Sequence, residues 1–144
     1  MEIEISTDPQ LLDVELICRW LAEESYWAVG IPREVVQRAI ANSLCFGAYL
    51  DGQQVGLARV VTDRATFAWV ADVFVLDGYR SRGYGKALVA AVLAHPDLQG
   101  LRRVMLATRD AHGLYAQYGF TPIPPDRFME VRNSSPYDAG SAAG

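Results

Sequence analysis

The spacing of apolar residues along this chain changes several times, and each change marks an element. At the start, Ile3 and Ile5 alternate with Glu2 and Glu4, the two-residue period of a half-buried edge strand. Asp8 before Pro9 reads as a cap followed by a first-turn proline. Leu12, Leu16, Ile17, Trp20 and Leu21 then recur at helical spacing and predict a first helix to about Leu21. Pro32 opens a second helix, with Val35, Val36, Ala39 and Ile40 on its apolar face. Between the two lies EESYWAVGI, an irregular stretch with two acids and two aromatics.

The middle of the chain changes period. LCFGAYL and VGLARVV, joined by DGQQ, carry the signal of a hairpin with a four-residue loop. TDR makes another turn. ATFAWVADVFVL is a long strand, nearly all apolar, as expected at the centre of a sheet, and its one acid is Asp72. From Gly83, GYGKALVAAVLA reads as a helix with Leu88, Val89, Val92 and Leu93 on one side, ended by HPDLQG. RVMLA is a short buried strand and DAHGLYAQY a short helix weakened by Gly113. RFMEV, after the proline-rich TPIPP, reads as a last strand.

The central unit is thus strand, loop, helix, strand. A crossover of that length makes the two strands parallel neighbours with a right-handed connection. The fold class is α/β: a mixed sheet with antiparallel N-terminal strands, then a parallel pair, and helices on both faces. Residues 1–131 form one domain, and 132–144, small and polar, read as a flexible C-terminal tail.

Composition narrows the function. Apolar residues make up 51% and charged residues 21%, as in a globular protein. The net charge of -4 leaves no basic footprint for nucleic acid. No apolar run approaches membrane-span length, and the acidic, alternating N-terminus is not a signal peptide. Cys18 and Cys45 are too few for a disulfide framework and lack metal-ligand spacing, so we expect free thiols, a cytoplasmic location and no metal.

Against that acidic background stands YRSRGYGKAL, residues 79–88. Arg80, Arg82 and Lys86 surround Gly83 and Gly85 where a strand has ended and a helix begins. A helix N-terminus has unpaired N–H groups and a positive dipole end, and glycines let an anion approach them. The residues suit a phosphate or pyrophosphate; a solvated basic turn that merely caps the helix is the plainer alternative. Tyr84 stands where the P-loop pattern needs lysine, and Leu88 where the dinucleotide fingerprint needs its third glycine, so neither motif is complete.

VFVLDGYRSRGYGKALV resembles the acetyl-CoA-binding segment of the GNAT superfamily of N-acetyltransferases. The signature falls on Arg80-Ser81-Arg82-Gly83-Tyr84-Gly85. A second segment, TRDAHGLYAQYGF, is similar to a later helix of that family and its LY…GF ending, through Leu114, Tyr115, Gly119 and Phe120. The resemblance covers roughly residues 44–131. It implies a splayed parallel strand pair and acetyl-CoA as acetyl donor. The loop from Arg80 to Lys86 would hold the pyrophosphate, and the backbone of Val73 and Val75 the pantetheine arm. Many members carry Asn where Thr108 stands; Thr108 would cap a helix or bond the pantetheine.

Acetyl transfer from a thioester to an amine needs an unprotonated amine, a polarised carbonyl and a proton for the departing thiolate. Tyr115 is the candidate proton donor, because a phenol can donate to developing charge on sulfur; the alternative is a core tyrosine. A backbone N–H of the Val73–Val75 segment is the candidate oxyanion donor. Asp72 is either the general base, directly or through water, or a structural acid that bonds a neighbouring backbone or pairs with Arg59. Glu23, Glu24 and Asp63 are alternative bases, each of which also reads as a solvated surface acid. Cys45 lacks the neighbours of an activated thiol. His95 and His112 read as solvated or capping groups.

The family places the acceptor between its first two helices. Here Glu24 with Tyr26 and Trp27, joined by Trp69, would favour a small primary amine or an amino-acid-like acceptor. The same aromatics could instead pack the loop onto the core. Two function classes stay open: an acetyl-CoA-dependent N-acetyltransferase, and a non-catalytic acyl-CoA-binding regulatory domain of the same fold. A nucleotide-hydrolysing protein is disfavoured by the incomplete P-loop. The expected partners are the small-molecule amine and, if any protein, a second copy in a homodimer.

Overall fold

A computed structural model of the chain describes residues 2–137. Five strands form one sheet in sequence order: β1 (Glu4–Ser6), β2 (Leu44–Leu50), β3 (Gln53–Thr62), β4 (Phe67–Val75) and β5 (Arg103–Leu106). The first four pair antiparallel, and β4 pairs parallel with β5. Helices α1 (Val14–Glu23) and α2 (Arg33–Ala41) cover one face and α3 (Tyr84–Ala94) the other; α4 (His112–Ala116) follows β5. The expected fold class is the observed one.

Local differences have local causes. The β2–β3 hairpin turns on two residues rather than four. Asp51 and Gly52 both have positive φ, 53° and 80°, as a primed turn requires, so Gln53 and Gln54 join the strand. Asp8 caps only a single 3-10 turn at Pro9–Leu11, and α1 starts later, where the Asp13 carboxylate accepts from the Leu16 N–H. The expected strand at RFMEV is absent. Arg127 ends a 3-10 turn set by Pro124 and Pro125, and Met129 and Val131 stand fully exposed. A β-prone run with no partner strand and nothing to bury against has no reason to become a strand. Of the expected tail, Tyr137 packs half-buried against the α1/α2 side of the core, and residues 138–144 lie outside the described residues.

The two faces are two cores. On one, Leu88 and Val92 of α3 meet Ala58, Val60 and Val70. Gly56 allows that approach, since a Cβ there would lie 2.9 Å from the Phe74 carbonyl oxygen and 3.3 Å from Leu88. On the other, Ile17, Leu21 and Val36 pack on Cys45, Leu57 and Phe74, with the Trp20 ring stacked on Phe74 at 4.2 Å. Among the described residues no helix is long and apolar enough to cross a membrane.

Among the described residues one buried side-chain polar atom has no partner: the Tyr49 hydroxyl, lodged where Gly47 carries no side chain. A buried unsatisfied hydroxyl costs about 1–3 kcal/mol, so Tyr49→Phe should leave stability unchanged or raise it. Urea unfolding would check this; a loss of more than about 1 kcal/mol would mean the hydroxyl has a partner after all.

Candidate functional site

The site is built from an irregularity in β4. Arg59 pairs with Asp72 but Val60 pairs with Val70, so Ala71 is an extra residue in the strand. A bulge reverses the alternation of side chains beyond it. Val70 faces α3; without the bulge Asp72 would do so too. Instead Ala71 and Asp72 both face the α1/α2 side, and Val73 and Val75 face α3. Pairing with β5 also ends here, with Val70 opposite Leu106 as its last rung. From Ala71 to Val75 the β5-side edge of β4 has no strand partner among the described residues, so the parallel pair is splayed.

The splay leads into the basic loop. A 3-10 turn at Asp77–Tyr79 is followed by Ser81 at φ 65° and Gly83 at φ 84°, both left-handed, and α3 starts at Tyr84. Ser81 is a non-glycine residue held in that region, the kind of backbone strain that gathers at binding sites. The loop is set by its own side chains. Arg80 donates to the Val75 carbonyl at 3.2 Å and pairs with Asp77, while Arg82 leans on the Tyr79 ring. No side chain caps α3. Its first N–H donors, those of Tyr84, Gly85 and Lys86, therefore keep their capacity for an anion. Gly85 has an ordinary helical φ, and a Cβ there would meet nothing within 4 Å, so the protein's own packing does not require glycine.

Tyr115 closes the other side of the splay. It is 9% exposed, meets Phe120 edge to face at 5.7 Å, and lines a small apolar space with Val70, Val73 and Leu106. Burial, and secondarily the nearby Tyr26 phenol, push its pKa above the ordinary tyrosine value. Thr108 accepts from the Ala111 N–H at 3.0 Å and so braces the entry to α4. Tyr118 donates to the Lys86 carbonyl at 3.1 Å and ties that region back to α3.

Asp72, 5% exposed, has both oxygens occupied: Oδ1 accepts from Trp27 Nε1 and Oδ2 from Arg59 Nε, each at 2.6 Å. Of the two roles open to it in the sequence, the pairing with Arg59 is present. Trp27 thus reaches from the α1–α2 loop to the bulge. Tyr26 beside it reaches further. Its hydroxyl accepts from the Arg109 N–H at 3.1 Å, and the Arg109 guanidinium lies 3.9 Å from its ring centre. The aromatics of the α1–α2 loop are therefore brought to the splay. Glu24 is not; it is exposed at the end of α1.

The remaining candidates are accounted for. Hydrogen bonds from the Thr66 hydroxyl and from backbone N–H groups hold the Asp63 carboxyl well below the usual range, and it serves the β3–β4 turn. Burial pushes the Cys45 thiol up to about 11, the opposite of an activated nucleophile. His95 accepts from the Asp97 N–H as a cap. Three contributors carried no sequence signal: the bulge at Ala71, Arg109 under Tyr26, and Tyr137, which reaches the cavity beside Trp27 from within the expected tail.

Comparisons with known proteins agree with this geometry. Residues 14–120 match the model of the Acetyltransferase (GNAT) family. A Gibberella zeae protein inferred to be an acetyltransferase is 33% identical over 135 residues, spanning 78% of this chain and 75% of its own. The crystal structure of an inferred GNAT-family acetyltransferase from Xanthomonas campestris pv. campestris is 56% identical, with a TM-score of 0.93 over 96% of this chain and 99% of its own. Neisseria gonorrhoeae N-acetylglutamate synthase, solved with coenzyme A and N-acetyl-glutamate, superposes with a TM-score of 0.66 at 19% identity, over 89% of this chain and 30% of its own. At that identity the likeness is one of fold.

Proposed function

Because the chain belongs to the GNAT family of acetyltransferases, we propose that it transfers an acetyl group from acetyl-CoA to a primary amine of a small molecule, by direct attack with both substrates bound. One observation carries the reading: the unpaired edge of β4 over Ala71–Val75 runs directly into an uncapped helix N-terminus with open space at Gly85. Those features fit a ligand with a strand-like amide arm and a diphosphate. The backbone of Val73 and Val75 would hold the arm. The N–H groups from Gly83 to Lys86, with Arg80, Arg82 and Lys86, would hold the diphosphate. Ser81 and Tyr84 shape that loop, and Thr108 fixes the facing turn.

When bound, acetyl-CoA supplies an activated acyl carbon and a thiolate leaving group. The chain's own residues do the rest. A backbone N–H of the Val73–Val75 segment faces the charge that develops on the carbonyl oxygen. Tyr115 gives its phenolic proton to the sulfur as the carbon–sulfur bond breaks. Asp72 keeps one oxygen lone pair for each bond it already accepts, and takes the amine's surplus proton directly or through water. Tyr26 and Trp27 wall the acceptor side.

Thermal shift and turnover test this together. Acetyl-CoA should raise the melting temperature while ATP and NAD do not, and a panel of amines should include some that release free CoA thiol. Stabilisation by ATP or NAD alone would remove the coenzyme assignment. Coenzyme binding with no turnover on any amine would favour the regulatory alternative.

A further inference from the structure

A cavity of about 200 Å³ lies between α1, α2 and β4, below the range of drug-sized pockets and suited to a small metabolite. Its walls are mostly apolar, and the aromatic ones are Trp27, Trp69 and Tyr137. Its charge is a single ion pair, Arg59 with Asp72, whose side chains are 18% and 7% exposed. That pair is incompletely used. Each Asp72 oxygen has taken one donor and can take another. Arg59 donates through Nε to Asp72 and through Nη1 to Ser43 at 3.0 Å, which leaves Nη2 with no bond among the described residues.

Buried charges tend to fill their hydrogen-bonding capacity, so donors and acceptors left over beside a cavity specify what belongs in it. The two charges cancel. A simple cation gains from Asp72 but meets Arg59, and a simple anion the reverse. A ligand with both charges satisfies both. Its carboxylate suits the guanidinium fork and its amine suits Asp72. The amine end would then lie beside the last rung between β4 and β5, where the splay opens, because Asp72 and Ala71 both line the cavity.

We propose that this cavity is the acceptor pocket and takes a free amino acid or a close zwitterionic analogue. Arg59 anchors the carboxylate, and Trp69 and Tyr137 limit the side chain. The assignment rests on the N-acetyltransferase reading above and narrows its acceptor from amines in general to amines that carry a carboxylate.

Matched triplets decide it on the natural full chain with coenzyme present: phenylalanine, its amide and phenethylamine, then the same series for leucine and methionine. Binding is read by tryptophan fluorescence, since Trp27 and Trp69 line the cavity, and turnover by CoA release. The free acid should bind at least about tenfold more tightly than its amide or amine, the size expected of one charged hydrogen-bonded contact. Arg59→Lys keeps the charge facing Asp72 but loses the fork. It should raise KM for the acid by about tenfold and close the gap to the amide. Tyr137→Ala should admit larger side chains. Amides or amines that bind as well as acids, or acid binding indifferent to Arg59→Lys, would overturn the proposal. If coenzyme binds and nothing is turned over, the N-acetyltransferase reading falls, and fluorescence still decides the pocket. A response to the acid alone upholds it, and no response to any compound makes the cavity a packing void.

Discussion

A Gly85→Glu chain should melt at or slightly above the temperature of the natural protein and bind acetyl-CoA at least about a hundredfold more weakly. The two effects have opposite signs for separate reasons. Gly85 has helical φ and open space around its missing Cβ, so a side chain enters without strain. A carboxylate in the first turn of α3 interacts favourably with the helix dipole, by about 0.3–1 kcal/mol, and replaces a poor helix former. For a diphosphate at the same donors, that carboxylate is a like charge at close range. At an effective dielectric near 20, two unit charges about 4 Å apart repel by about 4 kcal/mol. Half of that already exceeds a tenfold loss at about 1.4 kcal/mol per decade, and the diphosphate carries more than one charge. Gly83→Glu is a poorer probe, because φ there is 84° and any side chain strains the backbone. Calorimetric titration with acetyl-CoA, beside melting without ligand, gives both numbers. Unimpaired affinity at Gly85→Glu would move the diphosphate site elsewhere.

The other large effect is expected at Tyr115. Tyr115→Phe keeps the ring against Val70, Val73 and Leu106 and loses only the hydroxyl, so stability and coenzyme affinity should hold. Turnover should fall by about 10²–10⁴, the usual worth of a positioned general acid. The pH profile gives a second readout. The acid is the neutral phenol, and burial raises its pKa above the ordinary value of about 10. Tyr115 therefore stays protonated throughout the range below about pH 10. The rate should climb with pH as the acceptor amine loses its proton, without a downward limb from Tyr115 below about pH 10. Turnover unchanged in Tyr115→Phe would return the residue to a packing role. A descending limb near neutrality that vanishes in the variant would show that the phenol ionises far more easily than its burial allows.

Much of the fold was legible because most of it is local. The Ile3/Ile5 alternation, the helical spacing of Ile17, Trp20 and Leu21, and the apolar run around Val70 each report one element's buried face. The loop at 80–86 was legible for the same reason: glycines, cations and a helix start lie within a few residues, so the features that suit an anion are written contiguously. RFMEV was misread because β-propensity says only that a segment suits a sheet, and here no partner strand comes to it.

The cavity between α1, α2 and β4 could not be read in the same way. Asp72 stood out as an acid in an apolar strand, but the face it occupies depends on a bulge that shifts register against β3, and register belongs to the pairing of two strands. Whether Trp27 was core or wall depended on where an irregular loop lands. Tyr137 lay in a stretch whose composition suggested no structure at all. The amino-acid order alone determined the strand–loop–helix unit, since it follows from neighbouring residues. Only the tertiary structure decided which side chains share the cavity between α1, α2 and β4, because Trp27, Arg59, Asp72 and Tyr137 come from separate segments of the chain and meet through packing and strand register.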